Sequence, residues 1–213
     1  MDYRVLTVSR EFGCGGGKIA AKIAEWLGWK LLDRELIEAI ACAAHVDSRL
    51  VSHYDERLEP WLSRVNRNVV RAGAALAIGV VMEKDCFDAN IMAELTSKVV
   101  AQAYAEGNCV IVGRGAQCIL QSRPDAFHVF VYAPNGDRKH RLRARLDPPV
   151  KIDERIRAVD AERAHYLQTR FGKAWTDPHL YDLMIASRED ENATARTILY
   201  AMTGQQQPFA KLS

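Results

Sequence analysis

Residues 13–18, with the sequence GCGGGK, have the composition of a loop that binds phosphate. Glycines allow consecutive backbone N–H groups to point at one anion, and the start of a following helix adds a partial positive charge of about half a unit. The strict P-loop pattern GxxxxGK[ST] is not met, because Ile19 stands where the magnesium-binding hydroxyl is expected. We therefore predict an altered loop for the donor phosphates, and a glycine turn that binds no ligand is the alternative. The residues of the loop are Gly13, Cys14, Gly15, Gly16, Gly17 and Lys18.

Two side chains in this loop have alternative interpretations. Lys18 can reach a phosphate, or it can be the first exposed residue of the helix. Cys14 lies where a helix N-terminus lowers the pKa of a thiol and raises its reactivity. Alternatively, Cys14 fills a space of the size of serine, and we favour this second interpretation.

Asp33 and Arg114 each follow an apolar run, at the point where a strand is expected to end. Asp33 follows Leu31-Leu32, and Arg114 follows the run 109–112 and stands between two glycines. A planar guanidinium beside flexible backbone is suited to phosphate recognition, and we predict that role for Arg114. Asp33 can accept a hydrogen bond from a substrate hydroxyl, hold a hydrated magnesium ion, or cap the helix that begins near Glu35. Taken alone, the residue favours capping.

The stretch 137–146, DRKHRLRARL, is typical of a solvated helix face. Arg138, Arg141 and Arg145 nevertheless fall on one helical face, at three- and four-residue spacing. Arg163 begins a further set of basic residues in the next helix. Phosphoryl transfer requires cations around the migrating group, because little covalent chemistry is asked of the protein. We therefore predict a mobile arginine arm that surrounds a transferred phosphate.

These candidate residues are positioned by strands that alternate with helices. Apolar runs predict strands near residues 5–8, 30–32, 109–112, 128–132 and 183–186. Helical spacing predicts helices near residues 19–27, 88–106, 152–170 and 189–202. Such alternation indicates a parallel sheet covered by helices on both faces. Ligands of such sheets bind outside the carboxyl ends of the strands, which is where the loop, Asp33 and Arg114 are expected.

Composition and charge argue against several other classes of protein. The 213 residues are 48% hydrophobic and 26% charged, as in folded globular domains. A formal net charge of +2 argues against a nucleic-acid binder, and five scattered cysteines argue against a disulfide framework or a zinc site. No apolar run approaches the roughly 20 residues that cross a bilayer, and the charged N-terminal residues argue against a signal peptide. We expect a cytoplasmic protein without nucleic-acid or membrane partners, of an oligomeric state that the sequence does not indicate.

Taken together in their order, the motifs resemble the cytidylate kinase-like family of P-loop proteins. The resemblance extends over nearly the whole chain and is weakest at about 47–88. Its segments are VSREFGCGGGKIAAKIAEWLGWKLLDRELI, AEGNCVIVGRGAQCIL, VFVYAPNGDRKHRLRARL, DAERAHYLQTRFGKAW and YDLMIAS. It implies one α/β domain over residues 1–213 with the three-layer P-loop NTPase fold and a central parallel sheet of about five strands. It also implies a helical insert over the acceptor nucleotide, at about 45–88, and an arginine-bearing lid at about 134–165.

The resemblance also implies roles for single residues. Arg114 matches the arginine that holds the phosphate of the acceptor, and Asp33 matches the aspartate after the second strand. Arg138 and Arg141 match lid arginines that clamp the donor and transferring phosphates. Arg163 matches an arginine in the helix after the lid.

The glycine loop departs from the family pattern. Authentic cytidylate kinases keep a lysine at the position that aligns with Gly16, and Lys18 would replace it from one turn into the helix. The first expectation is a kinase that uses ATP and Mg²⁺ and phosphorylates CMP, dCMP or a related small acceptor. The altered loop favours one alternative, a nucleotide-binding sensor with little catalysis. The weakly matching segment leaves open another, a kinase for a non-nucleotide metabolite.

Overall fold

Strands and helices alternate along the part of the chain that the structure describes. The computed structural model describes residues 3–33, 37, 89–145, 151–188 and 190–204, so the insert predicted at 45–88 lies outside it. The strands are β1 (Val5–Arg10), β2 (Lys30–Leu32), β3 (Cys109–Val112), β4 (Ala126–Tyr132) and β5 (Leu183–Ala186). The helices are α1 (Gly16–Leu27), α2 (Ala89–Glu106), α3 (Ala116–Ile119), α4 (Asn135–Arg143), α5 (Ile152–Phe171) and α6 (Glu191–Thr203), with a 3-10 helix at Pro178–Leu180.

The five strands form one parallel sheet in the order β2-β3-β1-β4-β5. Val5 at the start of β1 pairs with Cys109 of β3 and with Ala126 of β4, so the strands run in register from the same edge. Their carboxyl ends therefore meet at the opposite edge, where ligands bind in open α/β sheets. The predicted three-layer α/β fold with a five-stranded parallel sheet is confirmed.

The described residues divide into two compact units. One unit lies within residues 1–31 and 107–213, and the other lies within residues 32–106. The first unit contains α1, α3 to α6 and almost the whole sheet, and the second contains α2. Of the helices within the described residues, none combines the length and the apolar character that crossing a bilayer requires.

One face of the sheet is covered by α1 and α6. Alternate residues of the strands face this layer and meet apolar side chains of the two helices. The fully buried members of this core include Leu6, Val8, Ile19, Val129 and Ile198. Burying one side chain of this size stabilises the fold by about 1.5–3 kcal/mol. Gly28 ends α1 in the left-handed conformation, with a φ of 65°, as the sequence predicts.

The opposite face carries an aromatic core that includes the second half of α5. Phe130 of β4, Leu167 of α5, Trp175 and Leu180 are buried together. The rings of Phe130 and Trp175 meet edge to face, with centroids 5.2 Å apart. The predicted arginine arm is therefore attached to a helix whose C-terminal half is packed against the sheet.

A buried histidine lies beside this aromatic core. His128 of β4 is 7% exposed, and its Nδ1 shares a hydrogen bond of 2.7 Å with the Thr7 hydroxyl. The backbone N–H of His128 donates to Asp182 Oδ2 at 2.7 Å. Burial lowers the pKa of His128 below 6.5, and it outweighs the charge of Asp182 and the Leu120 carbonyl, both of which raise it.

Acidification is therefore expected to destabilise the protein through His128. Histidine in the unfolded chain titrates near pH 6.5, so the unfolded state gains a proton below that pH while folded His128 stays neutral. The stability from this group is present above pH 6.5 and is lost as the pH falls towards the lowered pKa. In thermal melts, the melting temperature should fall further between about pH 7.5 and about pH 5.5 in the wild type than in His128→Gln. Equal falls in both proteins would contradict this prediction.

Two short elements are absent from the sequence-based expectations. Helix α3 has four residues and the 3-10 helix has three, so neither is long enough to show a helical period. Strand β1 also continues to Arg10, two residues beyond the apolar run. This extension carries the chain to the start of the glycine loop.

Candidate active site

The glycine loop leads from β1 into α1 at the carboxyl edge of the sheet. Gly13 and Gly15 have φ angles of 82° and 85°, in the left-handed region that favours glycine. Helix α1 begins at Gly16, and its first N–H groups have no partners within the helix. The first helical bond runs from the Ile19 N–H to the Gly15 carbonyl, at 3.1 Å. The Gly17 and Lys18 N–H groups have no partner within the helix, and together with the positive end of the helix dipole they are suited to binding a phosphate.

Gly16 and Gly17 differ in the space that a side chain would meet. A Cβ at Gly16 would lie 2.6 Å from the Cβ of Arg10, whereas a Cβ at Gly17 would have no atom within 4 Å. Gly16 therefore has no room for the P-loop lysine that the resemblance aligns with it, and Gly17 does. Ile19 is fully buried and offers no magnesium ligand. Within the described residues, no three His, Cys, Asp or Glu side chains gather as metal ligands.

Lys18 lies in the first turn of α1 and is 61% exposed. Its Nζ is 3.7 Å from Glu191 Oε1, at the start of α6. The same carboxylate oxygen would lie 2.9 Å from a Cβ at Gly15, so Glu191 stands at the edge of the loop. Glu191 is therefore a residue of the candidate site that the sequence did not indicate, and the role of Lys18 towards a phosphate stays a prediction.

Cys14 points into the protein, and its side chain makes hydrogen bonds that stabilise the loop. Its side chain is fully buried, its Sγ donates to the Val131 carbonyl at 3.4 Å, and it accepts from the Gly16 N–H at 3.3 Å. Burial raises the pKa of the Cys14 thiol above 9.0, and it outweighs the lowering by that N–H and by the charges of Arg163 and Arg10. The thiol therefore fills space, as the favoured interpretation has it.

Cys14 is accordingly expected to be unreactive in the folded protein. Alkylation with iodoacetamide, followed by peptide mass spectrometry, should modify Cys14 only after unfolding. A serine can donate and accept the same two hydrogen bonds, so Cys14→Ser should keep any turnover within about threefold. Labelling of native Cys14 at the rate of the unfolded chain would contradict this prediction.

Arg138 of α4 is buried, and its guanidinium makes hydrogen bonds and ion pairs with other residues of the protein. Its Nε donates to the Phe12 carbonyl at 2.7 Å, its Nη1 lies 3.2 Å from Glu11 Oε2, and its Nη2 bonds to Asp160 of α5. The second oxygen of Asp160 accepts from the Phe12 N–H at 2.8 Å. Arg138 was expected to clamp the donor phosphates. In the structure its guanidinium instead lies between two carboxylates. Instead, Arg138 fixes the residues before the glycines to α4 and α5.

The sequence pattern did not indicate the two carboxylates of this cluster, Glu11 and Asp160. Glu11 directly precedes the loop, and its Oε2 also accepts from the Ala133 N–H at 3.0 Å. Asp160 lies three residues before Arg163, with 3.9 Å between Asp160 Oδ1 and Arg163 Nη1. That i, i+3 spacing of opposite charges was the available signal for Asp160.

Helix α5 connects the loop after β1 with Arg114 after β3. Arg163 Nη1 donates to the Arg10 carbonyl at 2.6 Å, and the Arg163 guanidinium carbon lies 6.0 Å from the centroid of the Phe12 ring. One turn further along α5, Tyr166 packs against Arg114, with 5.9 Å from the Arg114 guanidinium carbon to the ring centroid. One face of α5 thus brings Arg163 and Arg114 to the same edge of the sheet.

The backbone at Arg114 is in a conformation that an arginine rarely adopts. Arg114 has a φ of 57°, between Gly113 at 80° and Gly115 at 68°. A left-handed non-glycine residue costs about 1–2 kcal/mol. A Cβ at Gly115 would collide with the ring of Phe171, so α5 also covers this turn closely. Strain of this kind is concentrated at ligand sites, and it supports the predicted role of Arg114.

The other two predicted residues are Arg141, which contacts a different strand end, and Asp33, which belongs to the other compact unit. Arg141 donates from Nη1 and Nη2 to the Ser187 carbonyl after β5, at 3.4 and 3.3 Å. Asp33 follows β2 and lies in the second compact unit. Its carbonyl accepts from the Ile37 N–H at 3.0 Å. Its role towards a substrate stays a prediction.

Comparison with known proteins gives a family and a fold. The cytidylate kinase-like family model matches residues 5–189. The crystal structure of an uncharacterized protein from Eubacterium ventriosum ATCC 27560 has a TM-score of 0.66 at 18% identity, covering 94% of this chain and 99% of that chain. A gluconokinase from Sinorhizobium meliloti 1021 has a TM-score of 0.50 at 12% identity, covering 96% of this chain and 94% of that chain. None of the curated proteins matches the sequence. At these identities, the two structures show a common fold.

Proposed function

This chain belongs to the cytidylate kinase-like family, and from that membership we propose that it transfers the γ-phosphoryl group of ATP to CMP, dCMP or a related small acceptor. One observation carries the proposal. The glycine loop and Arg114 follow the adjacent strands β1 and β3, and α5 contacts both. The loop proposed to bind the donor phosphates and the arginine proposed to bind the acceptor phosphate thus lie at one edge of the sheet, and this supports a phosphoryl transfer.

The donor phosphates would be held by the loop from Gly13 to Gly17. The left-handed glycines and the Gly17 and Lys18 N–H groups, which have no partner within α1, would fit a polyphosphate chain, and Lys18 adds a positive charge at the loop. Arg163 and Arg141 would neutralise charge that develops on the transferred group. Because Ile19 is buried, Mg²⁺ would be held mainly by phosphate oxygens and water, and it would offset the charge of the triphosphate.

The acceptor would be held by Arg114 and Asp33. A guanidinium matches the oxygens of a phosphate in a bidentate manner, and a carboxylate can accept a hydrogen bond from a sugar hydroxyl. Arg138 contributes as a positioning residue, because it fixes the chain before the glycines. Closure of the lid over both substrates would exclude water and prevent wasteful hydrolysis of ATP.

A coupled assay of ADP release tests this function. ATP and magnesium are supplied with CMP, dCMP, UMP, AMP or GMP, with sugars and sugar acids, or without an acceptor. We expect CMP or dCMP to raise turnover at least tenfold above the rate without acceptor. A sugar or sugar acid as the sole effective acceptor would instead identify a kinase for a non-nucleotide metabolite.

The second candidate function is a nucleotide-binding sensor with little catalysis. The pairing of Lys18 with Glu191 and the buried Ile19 favour it, because both remove groups that a P-loop kinase uses. Calorimetry separates the two functions. ATP binding without acceptor-dependent turnover is the result that a sensor predicts.

A further inference from the structure

Arg10, the last residue of β1, extends its side chain from the glycine loop to the end of β3. A Cβ at Gly16 would lie 2.6 Å from the Cβ of Arg10 and 3.1 Å from its Cγ. A Cβ at Gly113 would collide with Nη1 of Arg10. The aliphatic part of Arg10 therefore lies under the start of α1, and its guanidinium lies beside the residue that precedes Arg114.

The space that Arg10 occupies accounts for a glycine in the loop. Gly16 does not have a left-handed backbone, unlike Gly13 and Gly15, so its conformation does not require glycine. The required feature is the absence of a Cβ, because Arg10 lies against the Cα of Gly16. The position of the Arg10 side chain therefore requires glycine at residue 16.

Two further observations place Arg10 at the start of the loop. Arg163 Nη1 donates to the Arg10 carbonyl at 2.6 Å, which fixes the end of β1 to α5. The positive charges of Arg10 and Arg163 both act to lower the pKa of Cys14 within the loop, although burial raises it overall. The guanidinium of Arg10 thus lies beside Gly113 and close enough to Cys14 to favour its thiolate.

Within the loop, the cationic side chain is that of Lys18, which lies 3.7 Å from Glu191 Oε1. A P-loop lysine reaches the β- and γ-phosphates of the donor, but Gly16 and Gly17 have no side chain and Lys18 Nζ is directed to Glu191. We propose that Arg10 supplies the cation between donor and acceptor phosphates that the P-loop lysine supplies elsewhere. This inference rests on the proposed phosphotransferase function.

The proposed step involves no change of oxidation state. A phosphate oxygen of the acceptor forms a bond to the γ-phosphorus, the bond from that phosphorus to the β–γ bridging oxygen breaks, and ADP leaves. Negative charge moves onto the bridging oxygen and the transferred group during this exchange. The Arg10 guanidinium would neutralise it from its place between the loop and Arg114.

The test replaces Arg10 with methionine and uses Arg4→Met as its matched control. Arg4 stands just before the other end of β1, also beside a left-handed glycine, Gly107, and its side chain is 50% exposed. With ATP, magnesium and CMP, kcat of Arg10→Met should fall about 1000-fold, since a transition-state cation contributes on that order. Calorimetry with ATP in the absence of acceptor should show about tenfold weaker binding. Arg4→Met should match the wild type within twofold in both measurements.

A compensating variant tests whether Arg10 does the work of a P-loop lysine. A side chain at Gly17 meets no atom within 4 Å, so Gly17→Lys in the Arg10→Met background should regain at least tenfold in kcat. If Arg10→Met melts far below the wild type, Arg10→Gln, which keeps most of the stem and loses the charge, becomes the deciding variant.

The outcomes separate this inference from the function on which it rests. Wild-type transfer to an acceptor, with kcat and ATP affinity of Arg10→Met or Arg10→Gln within threefold of the wild type, overturns the role of Arg10 alone. Absence of acceptor-dependent transfer in the wild type overturns the proposed function and the inference together.

Discussion

Replacing Arg114 with glycine is expected to raise the KM for the acceptor about 100-fold, with little change in the KM for ATP. The guanidinium would make charge-assisted hydrogen bonds to the acceptor phosphate, and such bonds contribute about 1.5–3 kcal/mol each. A 100-fold change corresponds to about 2.7 kcal/mol. Steady-state kinetics with varied acceptor at saturating ATP measure the effect.

Glycine is the suitable replacement because of the backbone at this position. Its φ of 57° suits glycine and strains other residues, so Arg114→Gly should fold with an unchanged or higher melting temperature. Arg123→Ala, which removes an exposed arginine beyond α3, is the control and should leave both KM values unaltered. An acceptor KM of Arg114→Gly within threefold of the wild type would exclude Arg114 from the acceptor site.

Replacing Arg138 with methionine is expected to lower the free energy of unfolding by about 3 kcal/mol. The side chain is 8% exposed, and its removal leaves Glu11 and Asp160 without their shared cation. Breaking a buried ion pair by removing one partner costs about 3–5 kcal/mol, because a charge remains buried and uncompensated. Since Phe12 is held by the same cluster, turnover should fall as well. Denaturation in urea measures the change in stability.

Two variants separate the cluster from a general effect of losing an arginine. Arg143→Met removes an exposed arginine from the same helix and should change stability by less than about 0.5 kcal/mol. Glu11→Gln combined with Arg138→Met should be more stable than Arg138→Met alone, because it removes one of the stranded charges. A loss below about 1 kcal/mol for Arg138→Met would show that the cluster does not stabilise the loop.

Much of the fold follows from local patterns in the sequence. The β-branched and apolar runs predict the five strands, and Gly28 predicts the end of α1, because these signals depend on neighbouring residues alone. The position of the loop and of Arg114 follows in turn, since parallel strands present their carboxyl ends at one edge. The position of the glycine loop at the carboxyl edge of the sheet was therefore predictable from the sequence pattern.

The residues that the arginines contact could not be predicted from local sequence patterns. Arg138 and Arg141 share one helical face, yet Arg138 is buried against Phe12, 126 positions away, and Arg141 reaches Ser187. Their difference depends on contacts between distant segments, which helical spacing does not encode. Arg10 was missed because an arginine at a strand end usually points into solvent. Only the packing of β1 under Gly16 shows that it does not.

The central claim, that the chain transfers a phosphoryl group from ATP to a nucleotide acceptor, is tested most directly by following the γ-phosphoryl group itself. Phosphorus NMR of the protein with ATP, magnesium and CMP, repeated with dCMP, distinguishes a nucleoside diphosphate product from inorganic phosphate. The predicted result is equal formation of ADP and of CDP or dCDP, with little inorganic phosphate. Bound ATP that remains intact, or that yields only inorganic phosphate with every acceptor, would contradict the claim.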